Sequence, residues 1–142
     1  MENWKQILGA VAVGLLALFV GGITNMGIVQ AGGALWPVDP QFNLNTMEGL
    51  EAALPTFTTV QLLYPVLAHA AGTLVAALIV ARWGLWPVFS AYLFAGLFFL
   101  GGLQMVVMLP APLWMEVLDL TLAYFPMAWL ALRTQKKSEV PF

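Results

Sequence analysis

Four long apolar runs divide this sequence, and they constrain its fold more than any other feature. The runs cover approximately residues 7–28, 60–81, 88–108 and 113–132. Each is close to the roughly 20 residues that an α-helix needs to cross the hydrocarbon core of a bilayer. Only 8% of the residues are charged, whereas a soluble domain carries about a quarter. The sequence therefore predicts an all-α membrane protein whose residues 1–142 form a single domain of four transmembrane helices.

The basic residues predict the orientation of this bundle. All five lie before the first run, between the second and third, or after the fourth: Lys5, Arg82, Arg133, Lys136 and Lys137. By the positive-inside rule, both termini and the polar tail 133–142 are expected in the cytoplasm, with the loop 30–59 outside. The first run is longer than the apolar part of a signal peptide and lacks a strongly basic flank. We therefore expect it to be retained as a true span.

The outer loop, residues 30–59, is interrupted by glycine and proline but contains one helical pattern. Asn45 and Glu48 have the spacing of a capping box, and a helix over about 46–54 would follow and stop before Pro55. Its apolar residues fit one face. The pattern predicts a short amphipathic helix on the membrane surface.

Strongly polar side chains interrupt the apolar runs, and five of them are candidates for a common site: Asn25, His69, Gln104, Glu116 and Asp119. Counted by helix rise, all five fall in the outer half of the predicted bundle. Asp119 is the deepest carboxylate, and a charge inside a membrane span normally faces protein or water because its burial in lipid is costly. The pattern predicts a polar, ligand-binding pocket that opens towards the outer loop.

A purely structural interpretation of the same residues stays open. His69 could hydrogen-bond a carbonyl or carboxylate on a neighbouring helix, a contact worth only about 0.6 kcal/mol on average in membranes. Glu116 could lie at the level of the lipid headgroups, stabilised by a helix N-terminus. Asp119 fits either interpretation equally well.

The sequence lacks the residues and motifs that identify several classes of function. The chain has no cysteine and one histidine, which argues against disulfides, thiol catalysis and a protein-built metal site. It contains no HExxH, GxSxG, GxGxxG or Walker motif, so we assign no catalytic residue and no cofactor. No basic patch is present to bind nucleic acid.

Two features of the runs concern packing. Small residues recur on one face of the first run at Ala10, Gly14, Ala17, Gly21 and Thr24. Such a seam allows close helix approach, either within one subunit or between two copies. In the fourth run, Pro126 is expected to kink the helix.

The chain resembles a family of small bacterial four-span membrane proteins to which no function is assigned. The matching segments are Trp36-Pro37, Asp39-Pro40, Met47-Glu48-Gly49-Leu50 through Leu54-Pro55, Ala68-His69-Ala70-Ala71-Gly72-Thr73, Met108-Leu109-Pro110-Ala111-Pro112-Leu113-Trp114, Asp119-Leu120 and Ala123-Tyr124-Phe125-Pro126-Met127-Ala128-Trp129-Leu130. The family pattern often has Tyr-Pro where this chain has Trp36-Pro37. The resemblance implies a multi-pass protein of the bacterial inner membrane and adds weight to His69 and Asp119.

Three functional hypotheses follow. The first is a non-enzymatic accessory or structural subunit of a membrane complex or homo-oligomer, with the small-residue faces as contact surfaces and the lipid bilayer as surroundings. The second is a small transporter or ligand-binding membrane protein that uses the polar pocket. The third is a lipid- or quinone-active enzyme that uses Asp119 and His69, so enzymatic activity stays open.

Overall fold

The structure, a computed structural model, describes residues 3–135 and is built from α-helices. We number them α1 (Asn3–Leu35), α2 (Met47–Ala53), α3 (Thr59–Trp83), α4 (Pro87–Met108), α5 (Leu113–Leu122) and α6 (Phe125–Thr134). Four helical stretches are long and apolar enough to cross a membrane, namely α1, α3, α4 and the pair α5–α6. This confirms the predicted all-helical architecture with four candidate spans. The part of the predicted tail beyond residue 135 lies outside the described residues.

Helix α1 continues to Leu35, beyond the end predicted near residue 28. The Gly32-Gly33 pair falls in the predicted outer loop but lies within this helix. Gly32 is buried, and a side chain there would collide with the ring of Tyr64 on α3. This glycine therefore serves close helix packing and not a turn. With 33 residues, α1 is roughly 50 Å long and exceeds the hydrocarbon core of a bilayer.

The short helix α2 lies in the long connection between α1 and α3, but its N-terminus is capped differently from the prediction. Thr46 is the N-cap, and its hydroxyl accepts a hydrogen bond of 3.1 Å from the backbone N–H of Gly49. The backbone N–H of Asn45 instead donates to the side chain of Asn43 at 3.2 Å. The prediction of Asn45 as the cap was wrong by one residue because Asn45 belongs to the preceding turn.

Helix α3 is the centre of the bundle, and α1, α4 and α5–α6 all pack on it. The seam of small residues on α1 faces it, with Ala17 and Gly21 buried there. At the closest crossing, a Cβ added to Gly21 would lie 2.8 Å from the carbonyl oxygen of Gly72. Lipid tails are as apolar as the side chains of membrane helices, so the hydrophobic effect does not bring these helices together. Close packing of this kind stabilises their association instead.

The two ends of the bundle have different cores. At the end that carries the short turn between α3 and α4, the core consists mainly of alanines, with Val80 and Phe94 among them. At the other end, which we call the loop end, Leu54, Leu62 and Leu109 form a separate apolar cluster. The residues between these two cores include the polar side chains discussed below.

The fourth span is interrupted where α5 gives way to α6, between Leu122 and Phe125. The prediction of a kink at Pro126 is consistent with this break, because proline lacks the N–H and clashes with the carbonyl four residues earlier. Tyr124 lies in the break with φ −121° and ψ −82°, outside the helical region. Its side chain is almost fully buried in the bundle, 1% exposed.

The crossing of α1 and α3 generates a stability prediction. Gly21→Ala should lower the free energy of unfolding by about 1–3 kcal/mol, as overpacked sites do, because its Cβ would also lie 2.9 Å from that of Ala76. Gly22→Ala is the matched control, since nothing lies within 4 Å of a Cβ there. Thermal unfolding in detergent should show a lower midpoint for Gly21→Ala only. Equal midpoints for the two variants would contradict the close crossing.

Candidate functional site

Three side chains from separate parts of the fold meet inside the bundle, and we call them the His69 network: His69, Asp119 and Tyr124. His69 lies on α3, about 15 Å from the start of that helix by its rise. Asp119 lies on α5, and Tyr124 lies in the break that follows. The Nδ1 atom of His69 is 2.8 Å from Oδ1 of Asp119. The Tyr124 hydroxyl donates to Oδ2 of the same carboxylate at 2.9 Å and lies 3.1 Å from Nδ1.

Burial makes this network electrostatically significant. Asp119 is 3% exposed, whereas the side chain of His69 is 23% exposed. A carboxylate only accepts hydrogen bonds, so the geometry assigns the proton of a neutral imidazole to Nδ1. The other ring nitrogen, Nε2, is then an acceptor, and it has no partner among the described residues. The network therefore satisfies Asp119 and leaves one acceptor of His69 available.

Tyr124 is held in place from the side of α4. A Cβ on Gly102 would collide with the Tyr124 hydroxyl, so only glycine leaves room for it. The ring of Phe99 meets that of Tyr124 edge-on, with centroids 5.7 Å apart at 89°. Tyr124 was not among the site residues predicted from the sequence. Its signal was a tyrosine within an apolar span, since a buried tyrosine hydroxyl usually has a hydrogen-bond partner.

A cavity of about 290 Å³ adjoins the network at the loop end. It lies between α3, α4 and α5 and extends beneath the long connection that carries α2. His69, Asp119 and Glu116 contribute polar groups to a lining that is otherwise mostly apolar. The other lining residues are Val29, Leu44, Leu50, Leu54, Phe57, Gln61, Leu62, Tyr64, Pro65, Gly102, Met105, Val106, Leu109, Ala111 and Met115. We call it the loop-end cavity.

Gln61 fixes the margin of the loop-end cavity. Its side-chain amide donates to the backbone carbonyls of Trp36 and Pro37 at 3.3 and 3.2 Å. Its side-chain oxygen accepts from the backbone N–H and the hydroxyl of Thr58 at 2.8 and 2.9 Å. The end of α1 is thereby tied to the start of α3, and the amide of Gln61 is fully occupied.

A second cavity, about 340 Å³, also borders His69 and lies between α1 and α4. Asn25 and Tyr124 contribute polar groups to it, and Gly102 and Met105 line both cavities. The side-chain oxygen of Asn25 is buried without a hydrogen-bond partner among the described residues. His69 therefore borders two cavities, and we call this one the α1–α4 cavity.

The five residues predicted to form the pocket are partly brought together. His69 and Asp119 are in direct contact, Glu116 lines the loop-end cavity and Asn25 lines the α1–α4 cavity. Gln104 is exposed on α4, with its amide 3.6 Å from the sulfur of Met108. Two residues along a helix correspond to about 200° of rotation, so Gln104 points away from Gly102, which lines both cavities.

The fold and the site together define a small helical membrane protein with four candidate spans and an internal polar network beside an apolar cavity. Comparison with family models, curated proteins and solved structures finds no match to this chain. The function is therefore inferred from the geometry of the chain itself.

The two carboxylates at the site should differ in their contribution to stability. Asp119→Ala would leave Tyr124 and His69 without their acceptor, and an unsatisfied buried donor costs about 1–3 kcal/mol. The side chain of Glu116 has no hydrogen-bond partner among the described residues, so Glu116→Ala should cost much less. Thermal unfolding in the same detergent would compare the two variants. Equal midpoints would contradict a stabilising role for the network.

Proposed function

We propose that this protein is a multi-pass membrane protein that binds a small, largely apolar molecule in the loop-end cavity, with the polar end of that molecule against the His69 network. The observation that carries the proposal is the position of His69 and Asp119 in the wall of an apolar cavity. Ligand pockets have this character, a mainly apolar lining with a few placed polar groups.

Two physical points support binding over a purely structural network. The loop-end cavity, about 290 Å³ in volume, has a mainly apolar lining and reaches a buried carboxylate, which is the form of a ligand pocket. An ionisable group inside a membrane span is expensive and tends to mark a functional site. The unpartnered Nε2 of His69 is an acceptor that a bound molecule could satisfy.

Binding is also better supported than conduction through the monomer. A channel needs polar groups along its whole length. Here the half of the bundle opposite the loop end is filled by a compact core that includes Ala77, Val80 and Ala95. A transported molecule would have to pass this core by rearranging the helices, so a binding function requires the fewest additional assumptions.

The accessory-subunit hypothesis is the second candidate, and one observation favours it. Helix α1 packs on α3 and leaves a large apolar face exposed, on which Gly22 and Gly33 have nothing within 4 Å of an added Cβ. A helix of a partner could approach there closely. However, the seam of small residues that motivated a homo-oligomer is occupied by α3 of the same chain.

We infer the orientation of the bundle from the positions of its basic residues. Lys5, Arg82 and Arg133 lie near the ends of α1, α3 and α6 that are opposite the loop end. This supports cytoplasmic termini and a loop end that faces outwards, by the positive-inside rule. The bacterial inner membrane stays our proposed location, as the resemblance noted from the sequence implies.

Orientation can be tested directly because the chain contains no cysteine. Glu48→Cys on α2 should react with a membrane-impermeant maleimide in spheroplasts, bacterial cells from which the outer membrane has been removed while the inner membrane stays intact. Leu85→Cys, in the exposed turn between α3 and α4, should react only after permeabilisation. The reverse pattern would overturn the inferred orientation, and the unmodified chain is the control for background labelling.

The proposed function is tested by native mass spectrometry of the protein extracted from its own membrane in mild detergent. We expect a reproducible small-molecule mass on the protein. Ala111→Phe should remove it, because Ala111 lines the loop-end cavity and a phenyl ring would fill that space. Ala12→Phe, on the exposed face of α1, should keep it.

Two results of that experiment would count against binding. A stoichiometric foreign subunit with no small molecule would support the accessory-subunit hypothesis instead. A small molecule that stays bound equally to both phenylalanine variants would place its site outside the loop-end cavity.

A further inference from the structure

The lining of the loop-end cavity is unbalanced in charge. Two carboxylates, Glu116 and Asp119, contribute to its wall, and no lysine or arginine does so within residues 3–135. The basic residues described by the structure lie at the opposite end of the bundle. Two acidic groups in a cavity surrounded by apolar helices favour a positively charged occupant, because each charge is poorly solvated there.

The hydrogen-bonding groups that stay free in the cavity wall are mostly acceptors, which favours a ligand with donors. The donors of the Gln61 amide are used by backbone carbonyls. The hydroxyl of Tyr64, which can donate or accept, also belongs to the wall. Beside this one hydroxyl, the groups left without a partner among the described residues are acceptors, Nε2 of His69 and the carboxylate of Glu116. A ligand that matches this wall must donate hydrogen bonds.

The long connection that roofs the cavity has the same sign of charge. Between Trp36 and Thr58 it carries Asp39, Glu48 and Glu51 but no lysine or arginine. A surface of one sign raises the local concentration of ligands of the opposite sign. The approach to the cavity and its wall thus favour the same class of molecule.

From these three observations we infer that the ligand of the loop-end cavity is a lipophilic amine, a protonated nitrogen on an apolar body. The inference rests on the proposed binding function and specifies its substrate class. The ammonium group donates to Glu116 and to Nε2 of His69, beside the carboxylate of Asp119. The apolar body contacts the leucines and methionines of the remaining wall, such as Leu62 and Met115.

The test uses three probes of nearly equal size that differ in their polar group: 1-aminoadamantane, 1-adamantanol and 1-adamantanecarboxylate. Binding of each to the full chain in phosphatidylcholine nanodiscs is measured by titration calorimetry at neutral pH, with empty nanodiscs subtracted. The amine should bind about tenfold more tightly than the alcohol or better, since an ion pair in a partly buried site is strong. The carboxylate should show no specific binding.

Variants separate a charge effect at the site from general attraction to an acidic protein. Glu116→Gln should weaken binding of the amine by about fivefold or more and leave binding of the alcohol nearly unchanged, because an amide retains an acceptor but not the charge. Glu48→Gln removes the same charge from the exposed surface of α2 and should weaken binding of the amine by no more than about twofold, because an exposed charge is screened by salt. Asp119→Asn, if it folds, should weaken binding of the amine in the same way as Glu116→Gln. If Asp119→Asn does not fold, the result for Glu116→Gln alone decides whether the charge at the site contributes to binding.

Each other result has a distinct meaning. Binding of the alcohol or the carboxylate as tight as that of the amine would overturn the inferred amine while leaving a ligand-binding cavity intact. Equal losses in Glu116→Gln and Glu48→Gln would also overturn it, by assigning the effect to surface charge. Binding of none of the three probes would refute the inference, and the native mass spectrum would then decide separately whether the cavity holds any ligand.

Discussion

A carboxylate buried among membrane-spanning helices must find its hydrogen-bond donors within the protein, and the middle of this structure is arranged around that requirement. Asp119 is 3% exposed and accepts from Tyr124 and from His69. These donors come from the end of its own helix and from the central helix α3. The carboxylate thereby connects α5 to α3 at the level where the apolar cavity begins. Lipid offers no donors at that depth, so the connection can form only inside the bundle.

The break between α5 and α6 is best understood as part of the same arrangement. In a continuous helix, residues five apart are separated by about 500° of rotation, so their side chains point in different directions. The irregular backbone at Tyr124, imposed just before Pro126, turns its hydroxyl back to the carboxylate of Asp119. Gly102 on α4 leaves the space that this hydroxyl needs. The helix break before Pro126, the absence of a side chain at Gly102 and the hydrogen bond from Tyr124 to Asp119 therefore depend on one another.

The parts of the fold that follow from local chemistry could be predicted from the sequence, and the parts that depend on packing between helices could not. Apolar length identified four spans, and the cost of burying charge identified Asp119 and His69, which do meet. The extension of α1 was missed because the sequence cannot show that Tyr64 needs the space at Gly32. Gln104 was grouped with the pocket by depth alone, and depth carries no information about which side of α4 it faces. Tyr124 was missed because its role depends on the break that places it.

The distribution of side-chain size along the bundle separates stability from binding in space. Alanine and glycine bring α1, α3 and α4 close together in the half opposite the loop end, where Ala17, Ala76 and Ala95 are fully buried. Towards the loop end the side chains are larger and include polar groups, the helices are joined by Gln61 and by the long connection, and both cavities appear. Close backbone packing leaves little space to fill, whereas bulky side chains that meet at their tips leave gaps. The closely packed half can therefore hold α3 in position while the loop half keeps an open volume at His69, which is the arrangement that a preformed binding site requires.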